Sequence, residues 1–147
     1  MIDGNTAEIC GRLRISVGTL DLISSWESNA APKTCELFRR ILPLRAKLIH
    51  CSWSGEGVWV PLGYWAAPWH TENETGHPKP GQLLLYAKGV SEPELLIPCG
   101  ICIFNSKFGT LKGNHFATVV AGVDRLSQLH WLALRHGAQD CTIENVR

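Results

Sequence analysis

The sequence lacks a block of charge of either sign. Its 14 lysines and arginines and 13 acidic residues are scattered over 147 positions, which leaves a formal net charge of +1. Proteins that bind nucleic acid or an anionic membrane surface through electrostatics carry clustered basic residues. We therefore expect no nucleic-acid partner and no membrane partner.

Long apolar runs are also missing. No stretch of the sequence approaches the roughly 20 consecutive apolar residues that a membrane-spanning helix needs. Residues 1–14 carry charged and amide side chains and no apolar core, unlike a secretory signal peptide. We expect a cytoplasmic protein that folds as one domain over residues 1–147, with residues 1–10 as a lead-in, because this length supports a single core.

Signatures of cofactor binding are absent from the sequence as well. The chain contains no nucleotide, flavin or phosphate-loop motif. Its six cysteines include one Cys-x-x-Cys pair, Cys99 and Cys102, without the second pair that a zinc site would need. This pair lies in an apolar β run, where residues three apart face opposite sides of a sheet. We predict reduced, buried structural thiols and no cofactor.

The sequence does contain a series of short apolar segments between residues 81 and 122. Runs at 83–86 and 95–103 flank a polar hinge at 88–94, and a third run at 116–121 follows a polar cluster. Short runs that are rich in Val, Ile, Leu and Phe and interrupted by Gly, Pro, Asn and Ser are typical of strands in a closed or packed sheet.

Other elements follow from periodicity. Residues 12–26 alternate around Gly18, which predicts a β-hairpin, and segments 45–50 and 57–62 predict two further strands. Apolar spacing predicts helices at the segments 32–42 and 125–136, the second with Asp124 as N-cap and Gly137 as C-cap. The tail from Cys141 predicts an added edge strand.

This order of elements predicts a mainly β protein, a closed β-barrel capped by two α-helices. The connection at 63–80 is long for a compact domain, which is typical of a lid or a binding loop. Its Tyr64, Trp65 and Trp69 argue against disorder, since aromatic side chains favour burial. Exposed strand edges are compatible with a homodimer.

Several blocks of the sequence resemble known families. Segment 31–40, which follows the first predicted hairpin, resembles the first helix of cyclophilins. Four other blocks resemble the uncharacterised DUF3830 family, which has a cyclophilin-like fold; they are 54–62, 72–81, 89–94 and 105–116. The resemblance covers residues 12–122 and implies a single cyclophilin-like domain, but it implies little about activity.

One departure from the cyclophilins bears on activity. Their prolyl isomerase site needs an arginine beside a phenylalanine and a glutamine, whereas this chain has no arginine between Lys47 and Gly100. In cyclophilins that arginine lowers a rotation barrier of roughly 18–20 kcal/mol. We therefore expect no useful prolyl isomerase activity.

The tryptophans mark a candidate pocket. Four of the six, Trp53, Trp59, Trp65 and Trp69, lie close together in the sequence. They either fill one end of the barrel or line an apolar pocket with a few polar groups, which is the usual composition of a small-molecule site. We favour the pocket because Leu, Ile and Val already supply the core of the barrel.

Two ionisable residues are candidates for proton transfer. Glu56 lies in a Gly-Glu-Gly turn; it is either an exposed carboxylate or, if buried against Trp53 or Trp59, a general acid or base. His115 begins a strand, where a histidine is more often a hydrogen-bonded core residue than a catalyst. We predict Glu56 and His115 as catalytic; the substrate-binding candidates are Trp53, Trp59, Trp65, Trp69, His70, Glu92, Lys107 and Asn114.

Metal binding is not predicted. His70, Glu72, Glu74 and His77 are of metal-ligand types at close spacing, but no regular element fixes a fourth ligand.

The function that we predict is cofactor-free acid–base chemistry on a compact, partly apolar small molecule. Isomerisation, cyclisation and ring opening, including hydrolysis of a cyclic amide, are the reaction types considered. The alternative is a non-catalytic ligand-binding or accessory-subunit module.

Overall fold

The computed structural model describes residues 10–65, 68–87 and 89–147. The predicted lead-in lies outside the described residues except for Cys10, as do two positions of the 63–80 connection and Lys88 of the polar hinge. None of the helices within these ranges is long and apolar enough to cross a bilayer.

The described chain consists mainly of strands. The strands are β1 (Arg12–Val17), β2 (Leu20–Trp26), β3 (Leu44–His50), β4 (Gly55–Pro61), β5 (Glu74–Thr75), β6 (Gln82–Tyr86), β7 (Glu94–Cys102), β8 (Asn105–Ser106), β9 (Gly109–Thr110), β10 (Gly113–Ala121) and β11 (Gln139–Val146). The helices are α1 (Pro32–Arg39), a 3₁₀ turn (Val123–Arg125) and α2 (Leu126–His136).

The long strands close into an antiparallel barrel, as predicted. Their order is β2, β1, β11, β3, β4, β7, β6 and β10, and pairing of β10 with β2 completes the ring. The short strand β5 pairs with β10, and β8 and β9 form a separate two-stranded ribbon. The predicted edge strand at the tail is instead β11, which lies between β1 and β3, because barrel closure gives every long strand two neighbours.

The two helices differ from the prediction at their ends. α1 begins at Pro32 as predicted but ends at Arg39, after which the amide of Ile41 donates to the carbonyl of Phe38 at 3.2 Å in a tighter turn. α2 ends at His136, and Gly137 (φ 82°) is its C-cap as predicted. The prediction that Asp124 caps α2 is wrong, because Asp124 lies inside the 3₁₀ turn and Arg125 occupies the N-cap position.

Strand alternation sorts the apolar side chains into two clusters. Alternate residues of β6 and β7 enter different clusters, as expected when one face of a strand points into a barrel and the other points out. The inner core includes Leu83, Leu85, Leu95, Ile97 and Phe116. The outer cluster contains Cys51, Leu84, Tyr86, Leu96, Cys102, Phe104 and Leu111, with Trp59 packed against it.

The segment that follows β7 covers the outer cluster. Phe104 is 1% exposed and packs edge-on against Tyr86, with ring centroids 5.6 Å apart. Its amide donates to the carbonyl of Gly76, and its carbonyl accepts from the amide of Leu111, both at 2.8 Å. Gly113 permits the close approach, since a Cβ there would lie 3.0 Å from the Cβ of Leu84 and 3.3 Å from the Phe104 ring. The outer face of the barrel is therefore partly shielded from solvent.

Three aromatic rings hold α1 on the barrel. Phe38 of α1 lies 5.0 Å from Phe116 of β10 between ring centroids, and Trp26 of β2 lies 6.2 Å from Phe116. All three side chains are buried in the inner core. Because the trio joins a helix to two barrel strands, its packing stabilises the whole fold.

Replacement of Phe116 by alanine tests this packing. The ring is fully buried, so Phe116→Ala is expected to lower the free energy of unfolding by about 3–5 kcal/mol. The matched control is Phe108→Ala, which removes a ring that is 62% exposed and is expected to change stability by no more than about 0.5 kcal/mol. Urea denaturation of both variants measures the difference, and equal losses would contradict the assignment of the core.

Candidate functional site

A cavity of about 390 Å³ lies on the outer face of the barrel. It forms where the turn between β3 and β4, the start of β7 and the β8–β9 ribbon meet. Its walls are Ile49, His50, Cys51, Ser52, Trp53, Trp59, Ser91, Glu94, Asn105, Ser106, Lys107 and Phe108. The cavity adjoins the outer cluster, because Cys51 and Trp59 belong to both.

Glu94 is the buried acid of this cavity. It begins β7 on the same strand face as Leu96 and is only 7% exposed. Within the described residues, no donor forms a hydrogen bond to its carboxyl group. Burial and, to a smaller extent, the negative charges of Cys51 and Glu92 together raise the pKa of Glu94 to about 8. The carboxyl group is therefore protonated and neutral at pH 7.

Cys51 is the matching base. It opens the turn between β3 and β4, where its amide donates to the carbonyl of Gly57 at 3.1 Å. A hydrogen bond from the Cys102 thiol lowers the pKa of Cys51 to about 7, and Ser54 contributes further hydrogen bonds, against the opposing effect of burial. The same hydrogen bond, together with burial, raises the pKa of Cys102 because its proton is held by Cys51. The Cys51 thiol therefore ionises more readily than an ordinary buried thiol.

The pKa values of the two groups are shifted toward each other. A carboxyl group normally loses its proton about four pH units before a thiol, but here the pKa of Glu94 is raised and the pKa of Cys51 is lowered. A neutral acid and an anionic base in one cavity can give a proton to a bound molecule and take one from it.

The remaining walls of the cavity are aromatic, with a polar rim. Trp59 packs against the outer cluster, while Trp53 is 63% exposed at the mouth. The ammonium of Lys107 lies 5.3 Å from the centre of the Phe108 ring. Ser54 joins the turn to the ribbon, since its hydroxyl accepts from the amide of Asn105 at 3.0 Å. This composition is usual for sites that bind small molecules.

His50 connects the cavity to α2. Its ring lies 5.0 Å from the ring of His130 between centroids. Burial lowers the pKa of His50, and the nearby His130 lowers it further. His50 therefore contributes a neutral imidazole to the cavity wall.

The structure places only three of the predicted site residues in this cavity, Trp53, Trp59 and Lys107. Glu56, predicted as a buried acid or base, is exposed at the start of β4. Its carboxylate accepts a hydrogen bond of 2.8 Å from the amide of Ile101.

His115 lies elsewhere on the barrel. Its strand, β10, is separated from β4 by β6 and β7, so the structure does not bring His115 and Glu56 together. Nε2 of His115 lies 2.7 Å from the hydroxyl of Thr118, which donates to Glu27 at 2.6 Å. Burial lowers the pKa of His115, and the charge of Glu27 opposes this shift. The structure does not place Glu56 and His115 in one cavity, and their catalytic roles stay predictions.

The 63–80 connection anchors α1 rather than lining this cavity. Asn114 is buried and donates to the carbonyl of His70 at 2.7 Å and to the hydroxyl of Thr34 at 3.0 Å. That hydroxyl donates in turn to the carboxylate of Glu72 at 2.7 Å. Over the described ranges, no group of three or more His, Cys, Asp or Glu side chains is arranged to hold a metal ion.

The four clustered tryptophans do not share one environment. Trp65 and Trp69 are partly buried against the inner core. Trp65 also lines a separate cleft of about 450 Å³ beside Arg45 and Lys47. The predicted tryptophan cluster is thus divided between the cavity, the core and a second cleft.

Glu92, which was also predicted to bind substrate, is exposed in the hinge before β7.

Comparison with known proteins places the fold. A family model described as "Protein of unknown function (DUF3830)" matches residues 13–145. No curated protein matches the chain. Several solved structures are similar in fold. The structure of McbB in complex with tryptophan has a TM-score of 0.65 and 14% identity over 90% of this chain. The hypothetical protein AF2241 from Archaeoglobus fulgidus has a TM-score of 0.59 and 15% identity over 92%.

The two structures differ in size relative to this chain. The alignment covers 95% of AF2241 but only 44% of McbB, so the chain spans less than half of the length of McbB. At these identities the similarity shows a shared barrel fold.

The state of Glu94 predicts how stability depends on pH. The folded protein keeps the Glu94 proton up to about pH 8, whereas the unfolded chain loses it near 4.5, so stability declines as the pH rises through this window. Glu94→Gln removes that decline and is expected to be more stable than wild type at pH 8 by on the order of a few kcal/mol, with a much smaller difference at pH 4.5.

Glu92→Gln is the matched control, because Glu92 is exposed two positions away. Urea denaturation at both pH values measures the effect. A Glu94→Gln variant whose stability relative to wild type does not change between pH 4.5 and pH 8 would contradict the neutral state of the carboxyl group.

Proposed function

This chain belongs to the DUF3830 family of proteins of unknown function, and we propose that its outer cavity binds a compact, partly apolar small molecule and moves protons on it without a cofactor. The observation that carries the proposal is the position of Glu94 and Cys51 in the wall of one cavity of about 390 Å³. Perturbed acid–base groups within an aromatic cavity are typical of catalytic sites.

The proposed chemistry uses the raised pKa of Glu94 and the lowered pKa of Cys51. The Cys51 thiolate takes a proton from the bound molecule, and the neutral carboxyl group of Glu94 gives a proton to another of its atoms. The result is an isomerisation, or a ring closure or opening that proceeds through the same proton transfers. Glu94 is only 7% exposed, and this burial strengthens the electrostatic interactions that its carboxyl group makes in the cavity.

The walls indicate the kind of molecule that fits. Trp59, Trp53 and Phe108 offer flat apolar surfaces to a planar or cyclic group. Lys107 is the one lysine or arginine among the described lining residues, and it can hold an anionic substituent at the mouth. McbB, which shares the barrel fold, was solved with tryptophan, a compact compound with an apolar ring; this supports a small ligand for the present chain.

A non-catalytic binding or accessory module is the second candidate function. The aromatic walls of the cavity would serve it equally well, but it gives no role to the paired thiol and carboxyl group. Turnover therefore separates the two functions, since binding alone fits both.

Incubation with a metabolite pool tests the proposal, with mass spectrometry of both the bound and the altered compounds. Glu94→Gln and Cys51→Ser are each expected to lower turnover by at least about 10²-fold while ligand capture persists, because each removes one proton-transfer group. Trp59→Ala is expected to weaken capture itself. Glu56→Gln is the matched control and is expected to keep turnover, since Glu56 is exposed and is not among the residues that line the cavity.

Three outcomes are informative. Full turnover in both Glu94→Gln and Cys51→Ser would remove this pair from the mechanism. Loss of turnover in Glu56→Gln alone would restore the acid predicted from the sequence. Capture of a compound that is never altered by the wild-type protein would favour the binding module.

A further inference from the structure

We propose that Cys51 and Cys102 form an oxidation site, in which a peroxide converts the two neighbouring thiols into a disulfide. Both residues belong to the outer cluster and both are free thiols in the structure. The inference concerns the sulfur chemistry of the pair and does not depend on whether the cavity is catalytic.

The backbone brings the two cysteines together from distant parts of the chain. Cys102 ends β7, opposite Gly55 of β4. The turn that Cys51 opens is fixed to the residue after Cys102, because the amide of Ile103 donates to the carbonyl of Ser54 at 3.0 Å. Both cysteines are thereby held beside Gly57: the amide of Cys51 donates to its carbonyl at 3.1 Å, and a Cβ at Gly57 would lie 3.4 Å from the sulfur of Cys102.

Cys51 also lines the cavity, whereas Cys35, Cys99 and Cys141 are not among its lining residues. The cavity is the path by which a small oxidant would approach Cys51. Cys35, Cys99 and Cys141 belong to the inner core, and burial raises their pKa values to about 12, 12 and 11. Since the thiolate is the nucleophile, Cys51 is the buried cysteine that reacts first.

The reaction proceeds in two balanced steps. The Cys51 thiolate attacks one oxygen of the peroxide; an S–O bond forms, the O–O bond breaks, and the departing hydroxide takes a proton from solvent to become water. The sulfur of Cys102 then attacks the sulfur of the resulting sulfenic acid. The S–S bond forms, the S–O bond breaks, and the hydroxyl group leaves as water with the proton of the Cys102 thiol. Both sulfurs are oxidised and both peroxide oxygens are reduced.

This geometry gives the two cysteines different roles. Cys51 is the thiol that attacks the oxidant, and Cys102 is the resolving thiol that prevents further oxidation of Cys51. The disulfide removes the thiolate beside Glu94, so if the cavity performs the proposed proton transfers, oxidation stops them.

Hydrogen peroxide titration of the full chain carrying Cys10→Ser tests the proposal. This substitution removes Cys10, which is exposed and would otherwise react on its own. After alkylation of the remaining thiols, mass spectrometry of a non-reduced digest is expected to show a peptide pair that joins Cys51 to Cys102 and that separates on treatment with a dithiol.

Two further variants in this background assign the roles. With Cys102→Ser, Cys51 is expected to stop at the sulfenic acid, which a 1,3-dione reagent traps. With Cys51→Ser, Cys102 is expected to react roughly tenfold more slowly with peroxide than Cys51 does in the parent, because it stays a protonated thiol.

The proposal is overturned by either of two results. One is a parent protein in which both cysteines remain fully alkylatable under peroxide that oxidises exposed Cys10 in the wild type. The other is a Cys51→Ser variant in which Cys102 is oxidised as fast as in the parent. Neither readout measures turnover, so failure here is distinct from failure of the proposed function.

Discussion

The cover that residues 103–112 place over the outside of the barrel is the contact on which the site depends. A barrel encloses one face of each strand and leaves the other to water, unless another segment packs there. Here Phe104 and Leu111 bury the outward-facing Leu84 and Leu96. Gly113 lets this segment approach the barrel wall closely. Without this packing, Glu94 would face solvent and behave as an ordinary surface carboxylate.

The acid–base properties of the cavity follow from this burial and from one hydrogen bond. Burial favours the neutral form of every ionisable group, and it acts in this direction on Glu94. Cys51 escapes the same effect because the Cys102 thiol donates to its sulfur. The two groups also influence each other, since the negative charge of Cys51 makes ionisation of Glu94 still more costly. Proton-transfer capacity and susceptibility to oxidation therefore have a common origin.

The fold could be predicted from the sequence more completely than the site. Alternation and turn residues defined the hairpin around Gly18, the strands of the central block and the two helices, because these signals are local. Closure of the barrel depends on pairing between distant segments of the chain. For this reason β11 was predicted as an edge strand, although it lies between β1 and β3 in the barrel wall. Glu94 was predicted as the last residue of the polar hinge, whereas it begins β7 on the same strand face as Leu96. Whether that face is exposed or covered depends on where residues 103–112 pack.

The site residues were harder to predict for the same reason. Glu56 was chosen for its position beside tryptophans in the sequence, yet its side chain faces solvent and binds the amide of Ile101. Cys51 and Cys102 meet only through the pairing of β4 with β7, which no short motif encodes. Trp53 and Trp59 reach the cavity because they lie on the turn that Cys51 opens and on the following strand β4, whereas Trp65 and Trp69 continue into a different part of the fold.

The most direct test of this account is the titration of the glutamate side chains by NMR, with carbon-13 at the carboxyl group. The account predicts that one glutamate of the wild-type protein titrates near pH 8 and that its signal is missing from Glu94→Gln. If every glutamate instead titrates within about one unit of the ordinary value near 4.3, the outer face is wet and the proposed acid–base pair does not exist.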